Sequence, residues 1–257
     1  MAVHKGKIIT VTSVKGGVGK TTTTLNLAGT FSLMNKKVLI IDLDLYGGAI
    51  VPTLNISIDT DIYKFIDDLN NNRFDKIEDY IVKYNDLIDV IPAPKDPRFA
   101  NKINSNYLNV VFSLASTKYD VILIDTTHIL NEINLVTLDA SDEILFVLSN
   151  DPIDLKSMKS MIAILKNMEK SNYKIILNNA KDRQRNFFDK HDIKNIIKDN
   201  VDYIIPNEFY NKNFDKYILD GEIMLLNKKI RSSHKKTVKV FEMLAETLLK
   251  SDRGEKK

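Results

Sequence analysis

The sequence contains no cysteine. That excludes disulfides and thiolate metal centres. No run of about 18 apolar residues occurs, so no membrane-spanning helix is expected. A strand-like segment starts within a few residues of the first methionine, which leaves no place for a secretory leader. Together these absences point to the cytoplasm. Charge of one sign is also missing. The 37 Lys and Arg against 34 Asp and Glu leave a net charge of +3. Such a balance does not by itself call for a polyanionic partner, so local clusters must decide that question. No internal repeat, low-complexity block or interdomain linker interrupts the 257 residues, of which 44% are hydrophobic. The length suits one large α/β domain with a substantial core, over 1–250, followed by a polar tail over 251–257.

What is present is concentrated near the start. Lys7-Ile8-Ile9-Thr10-Val11-Thr12-Ser13 is a β-branched run that suits a buried strand. Thr23-Thr24-Leu25-Asn26-Leu27-Ala28 continues as a helix with one apolar face. Between them lies Val14-Lys15-Gly16-Gly17-Val18-Gly19-Lys20-Thr21-Thr22. A glycine loop joining strand to helix and ending in Gly-Lys-Thr is the context of a phosphate-binding loop. Gly16, Gly17 and Gly19 let successive amides, that of Val18 included, turn inward as an anion nest. The positive end of the following helix, at Thr21 and Thr22, points to the same place. Lys20 is placed to reach the β- and γ-phosphates, and the Thr21 hydroxyl to ligate Mg²⁺. The bland alternative is a glycine turn that only connects a strand to a helix.

The extra lysine at the start of the loop, Lys15, sharpens the reading. With it, Lys15-Gly-Gly-Val-Gly-Lys20-Thr21 resembles the deviant phosphate loop of the ParA/MinD superfamily of dimerising ATPases. The resemblance implies a mostly parallel, twisted sheet with helices on both faces, a P-loop NTPase fold in a single domain. It also implies that Lys15 crosses a dimer interface to the partner's nucleotide.

A second buried strand, Lys37-Val38-Leu39-Ile40-Ile41-Asp42, runs into Leu43-Asp44. Alternation along a strand would put Asp42 and Asp44 on one side if the strand persists that far. By resemblance, Asp44 positions the attacking water and Asp42 supports the site; a polar strand exit is the plain alternative. Partition ATPases of the superfamily usually continue with Pro-Gln-Gly. Here Leu45-Tyr46-Gly47-Gly48-Ala49 follows, which resembles the CpaE/TadZ branch that localises pilus-assembly machinery, as does Asp89-Val90-Ile91-Pro92-Ala93-Pro94-Lys95-Asp96-Pro97.

Tyr119-Asp120-Val121-Ile122-Leu123-Ile124-Asp125 is an apolar strand ending in an acid. In the same chain as the glycine loop, Asp125 is placed to hold Mg²⁺, through a water. Relatives often have proline just after this acid, whereas here Thr126-Thr127-His128 follows. His128 is either an ordinary loop histidine or a contact to phosphate or a partner. Further strands are expected over 142–148 and 173–178. The resemblance assigns Asn178 to the adenine edge, with Asn179 one residue away, and lays Pro206 beside the base. The helix opened by Pro152 is expected to bury Ile153, Met158, Ile162 and Leu165.

Near the end, 223–241 holds no acid but contains Lys228, Lys229, Arg231, Lys235, Lys236 and Lys239. This is either a solvated linker face or a polyanion contact, to DNA or to an anionic membrane. A short amphipathic helix over 239–249 carries Glu242 and Glu246, which favours packing on the domain over membrane insertion. Taken together, the sequence predicts a Mg²⁺- and ATP-dependent ATPase that forms a nucleotide-bridged homodimer and turns over slowly without a partner protein. Its expected work is to position pilus or secretion machinery. The alternatives are DNA partition and an ATP-binding scaffold with little hydrolysis.

Overall fold

The computed structural model describes residues 5–179, 188–209 and 214–250; the tail over 251–257 lies outside them. Eight strands form one sheet in the order β3-β4-β2-β5-β1-β6-β7-β8. They are β1 (Lys7–Thr12), β2 (Val38–Leu43), β3 (Val82–Lys83), β4 (Ile88–Ile91), β5 (Val121–Thr126), β6 (Glu143–Leu148), β7 (Tyr173–Asn178) and β8 (Tyr203–Ile205). All pairings are parallel except β3 with β4. The helices are α1 (Lys20–Leu33), α2 (Ile50–Leu54), α3 (Ile62–Asn70), α4 (Leu108–Ser116) and α5 (Glu132–Ala140). They continue with α6 (Pro152–Asn167), α7 (Lys190–Ile197), α8 (Phe214–Leu219), α9 (Lys228–Ser233) and α10 (Lys235–Lys250).

The expected fold is therefore the observed one. Strands β1, β2, β5 and β6 are buried along their whole length, and helices cover both faces. That is why they read as continuous apolar runs rather than alternating ones. One core cluster joins Ile9, Val11, Leu27 and Phe31 to Phe241, Leu244 and Leu248. Another joins Ile8, Leu39 and Ile41 to Phe65, Phe112 and Ile124. β1 connects past β5 to β2, and its neighbour β5 connects past β1 to β6, so the connections from the carboxyl ends of these two adjacent strands leave in opposite directions. Ligands bind at such a switch point in open α/β sheets.

Several boundaries differ from expectation. The second strand ends at Leu43, so Asp44 belongs to the turn and not to the strand. The last helix starts at Lys235, four residues before the expected start, because the Glu208 carboxylate accepts from the Thr237 amide at 3.0 Å and caps its first turn. Ile153, expected inside, is exposed, because the buried face of α6 runs through Leu155, Met158, Ile162 and Leu165 and Ile153 falls off it.

Candidate phosphate-binding site

The glycine loop leaves the carboxyl end of β1 and feeds α1. Gly17 at φ 73° and Gly19 at φ 100° take left-handed backbone, which glycine adopts with little strain. Ser13 Oγ donates to the Lys15 carbonyl at 2.7 Å and fixes the start of the loop. Val18 is buried, and its carbonyl accepts from Asn178 Nδ2 at 2.9 Å. A β-carbon on Gly19 would stand 2.3 Å from that same amide nitrogen. Gly16 and Gly17 are exposed above them. Helix α1 starts with no side-chain cap and no acid in its first turn, which includes Thr21 and Thr22. Its first amides and the positive end of its dipole are therefore turned to the loop. Lys20 is 8% exposed, and among the described residues its ammonium makes no hydrogen bond or ion pair. Loop, helix end and buried lysine form a cradle complementary to a polyphosphate.

Acids gather beside it. Asp42 on β2 and Asp125 on β5 are register partners. Thr21 Oγ1 donates to Asp125 Oδ2 at 2.6 Å, and Thr24 Oγ1 to Oδ1 at 3.3 Å. Burial pushes Asp125 up to about 6, the Thr21 hydrogen bond and the Lys20 charge opposing it and Asp44 adding to it. Asp42 is fully buried and pushed well up, first by burial and then by Asp125. It accepts from the amides of Asp44 and Ile50 at 3.1 and 3.2 Å. Asp42 thus shapes the turn, and Asp44 is presented by it, half-buried, with Oδ1 accepting from Gly47 N at 3.2 Å. The Thr21 hydroxyl and the Asp125 carboxylate are hard oxygen donors. The negative charge crowded around them is the kind a divalent cation relieves, so these residues fit Mg²⁺.

On the other side of the loop, Lys15 Nζ lies 3.0 Å from Asp151 Oδ1. Asp151 also caps α6 through the amides of Ile153 and Asp154. Lys15 holds the Asp151 carboxyl below its ordinary range. Beneath it, buried Asp154 accepts from Ser149 N and Ser149 Oγ, both at 2.7 Å. After β5 the chain turns back over the loop, bringing the His128 ring to 3.4 Å from a β-carbon built on Gly16. Buried Asn134 shapes that turn, donating through Nδ2 to the carbonyls of Thr127 at 3.0 Å and Ile129 at 2.6 Å. Sequence reasoning missed Asp151 and Asn134. Asp151 was findable, because an acid just before Pro152 is a helix-cap signal. Asn134 carries no sequence signal.

The residues expected near the base lie at the ends of β7 and β8. Asn178 grips the phosphate loop, as described. Its neighbour Asn179 donates its backbone amide to Ile205 O at 3.0 Å and keeps a buried Oδ1 with no partner among the described residues. Pro206 directly follows β8, beside Asn179.

The basic run is not a linker. Lys228 and Lys229 open α9, and Lys235, Lys236 and Lys239 lie on α10, all exposed. Arg231 does not join them: its Nη1 donates to the carbonyls of Leu225 and Leu226, both at 2.8 Å. The apolar side of α10 is buried through Phe241, Leu244 and Leu248, so the helix packs on the domain. No helix among the described residues is long and apolar enough to cross a membrane.

Fold and cradle define a P-loop nucleotide-binding protein of the doubly wound α/β class. A family profile described as "AAA domain" matches residues 6–179. The chain belongs to that family, within the ParA/MinD-type P-loop ATPases. It is 27% identical over 175 residues to the sporulation initiation inhibitor protein Soj of Bacillus subtilis, covering 64% of this chain and 67% of Soj. The crystal structure of a ParA family ATPase from Chlorobium tepidum superposes with a TM-score of 0.79 at 21% identity, covering 93% of this chain and 98% of that one. The septum site-determining protein MinD of Pyrococcus horikoshii, solved in complex with Mg-ADP, gives 0.77 at 23% identity, covering 96% and 98%. The CpaE/TadZ branch does not figure among these likenesses.

Proposed function

We propose that the protein binds ATP with Mg²⁺ in this cradle and works as a dimerising ATPase whose nucleotide state controls a partner. One observation carries the reading: Lys20, buried and making no hydrogen bond or ion pair among the described residues, stands at the first turn of α1 next to Thr21, whose hydroxyl donates to Asp125 at 2.6 Å. Lys20 and the loop amides hold the phosphates, Thr21 and Asp125 hold the cation, and Asp44 orients the attacking water. Orientation and charge stabilisation are most of what phosphoryl transfer needs. The Asn179 Oδ1, which has no partner among the described residues, stands beside Pro206 and suits the exocyclic amine of adenine, with Asn178 bracing the loop beneath.

A homodimer closed over two nucleotides is supported by what surrounds the mouth. Tyr46, Ile129, Leu130 and Ile153 are exposed apolar residues in the segments that follow β2, β5 and β6. Apolar groups around a polar cleft suit an interface. Lys15 lies among them and supplies the cross-subunit contact. The cargo we favour is pilus or secretion machinery in the cytoplasm, supported by the Leu45-Tyr46-Gly47-Gly48 turn after Asp44. A second reading, DNA partition, is favoured by the exposed lysines of α9 and α10. Lysines in a first helical turn oppose the helix dipole, and a bound phosphate backbone would offset that.

Equilibrium binding of fluorescent ATP, with light scattering for mass, tests the proposal. Tight binding and doubling of mass only with ATP and Mg²⁺ are expected. Protein that ignores ATP, or pairs equally well without it, contradicts the reading. Phosphate release indistinguishable from background in a protein that still dimerises would leave an ATP-binding scaffold instead.

A further inference from the structure

His128 lies three residues beyond Asp125, where β5 has ended and the chain turns back over the phosphate loop. The edge of its ring faces Gly16. Cε1, Nδ1 and Nε2 lie 3.4, 3.5 and 4.0 Å from a β-carbon built there. Both nitrogens are thus on the side toward the loop, and among the described residues neither makes a hydrogen bond. The turn that carries the ring is not loose. Asn134 holds the carbonyls on each side of His128, at Thr127 and Ile129, and the amide of Asn131 donates to Ile129 O at 3.0 Å. A tethered turn that aims an imidazole at a glycine of the phosphate loop is more specific than an exposed loop histidine requires.

The chemistry of the cradle says what the ring meets. The amides of the loop and the helix start would hold the inner phosphates, the lysine after the last glycine would reach the β- and γ-phosphates, and the Thr21 hydroxyl and Asp125 would hold the cation. A triphosphate held this way would direct its outermost phosphate toward the first glycines of the loop, the side that the His128 ring faces. We propose that His128 is a γ-phosphate contact, a ring N–H donating to an outer phosphoryl oxygen, so that this chain distinguishes a nucleoside triphosphate from a diphosphate. The assignment rests on the ATP reading above. A neutral imidazole has one such N–H and an imidazolium two, so the contact exists in either form.

The full chain, its His128→Ala variant and its His128→Gln variant are compared by equilibrium titration with fluorescent ATP and ADP in excess Mg²⁺. His128→Ala is expected to weaken ATP roughly tenfold, the size of a hydrogen bond to a charged oxygen, and to leave ADP unchanged. His128→Gln, which keeps a donor, is expected to restore part of the ratio. The side chain is exposed, so both variants are expected to fold, which thermal melting checks. Equal weakening of ATP and ADP, or no change in either, overturns the assignment while the ATP reading stands. Wild-type protein that binds neither nucleotide overturns both.

Discussion

The Lys15 ammonium and the Asp151 carboxylate, 3.0 Å apart, tie the phosphate loop to the start of α6 within one chain. A lysine held this way is not extended toward a second subunit. If Lys15 also serves a neighbouring nucleotide, the two positions compete, and the internal pair works as a latch on the monomer. Both side chains are about 40% exposed, at 40% and 39%, so the latch is shallow. An exposed ion pair contributes at most about 1 kcal/mol.

Opening that latch should favour pairing. Asp151→Ala is expected to raise the ATP-dependent dimer association constant by up to about fivefold for each latch released, the equilibrium equivalent of such a pair. Lys15→Ala should bind ATP and remain monomeric. Analytical ultracentrifugation with ATP and Mg²⁺ reads both, and normal pairing by Lys15→Ala removes its cross-subunit role. The latch is not a neutral-range pH switch. The folded Asp151 carboxyl titrates below its unfolded value because of Lys15. Its contribution is complete above the ordinary carboxylate range and is lost only as pH falls through the lowered value.

The two acids after Ile41 should separate in their effects. Asp42→Ala leaves the buried amide of Ile50 and the half-buried amide of Asp44 without their acceptor. The loss of stability expected is roughly 1–3 kcal/mol per unpaired group, offset in part because the raised acid itself was costly to bury. Asp44→Ala should melt within about 0.5 kcal/mol of wild type, as half-exposed turn positions do, yet release phosphate ten- to a hundredfold more slowly for want of an oriented water. Equal phosphate release by Asp44→Ala and wild type would dismiss Asp44 from the reaction.

Gly19 is expected to tolerate no side chain. Its φ of 100° and the Asn178 amide 2.3 Å from a β-carbon both oppose one. Gly19→Ala should abolish nucleotide binding. Asn178→Ala, which removes the bond to Val18 O, should weaken it by at least roughly fivefold, about the worth of one neutral hydrogen bond. Isothermal calorimetry separates the two outcomes.

The partition reading predicts ATP-dependent binding to DNA that falls steeply with salt, because lysines displace condensed counterions. Reversing Lys235 and Lys236 to Glu should abolish it and leave ATP binding intact. The same reversal at Arg231 should instead lower stability, since its guanidinium ties α9 to the carbonyls of Leu225 and Leu226. DNA binding that survives the lysine reversal counts against the surface named.

The strands and the loop were legible for a physical reason. A parallel strand covered on both faces must be apolar along its length, so β1, β2, β5 and β6 announce themselves. A loop that wraps a polyphosphate must have glycine where φ is positive and lysine at the helix start, so residues 15–21 could be read without coordinates. The acids were harder to rank. Asp42 and Asp44 look alike in sequence, and only the end of β2 at Leu43 buries one and presents the other. The basic run looked like one patch, but a carbonyl cluster at Leu225 and Leu226 takes Arg231 out of it.

The sequence by itself determined the class of protein, because local backbone geometry and strand burial are written in nearby residues. Tertiary structure alone decided which side chains meet across it: Lys15 with Asp151, His128 with Gly16, Asn178 with Val18, Asn134 with the turn after β5. Those pairs lie up to 160 positions apart in the chain. Their partners are chosen by how neighbouring strands align and where each one stops, and no short stretch of residues carries that information.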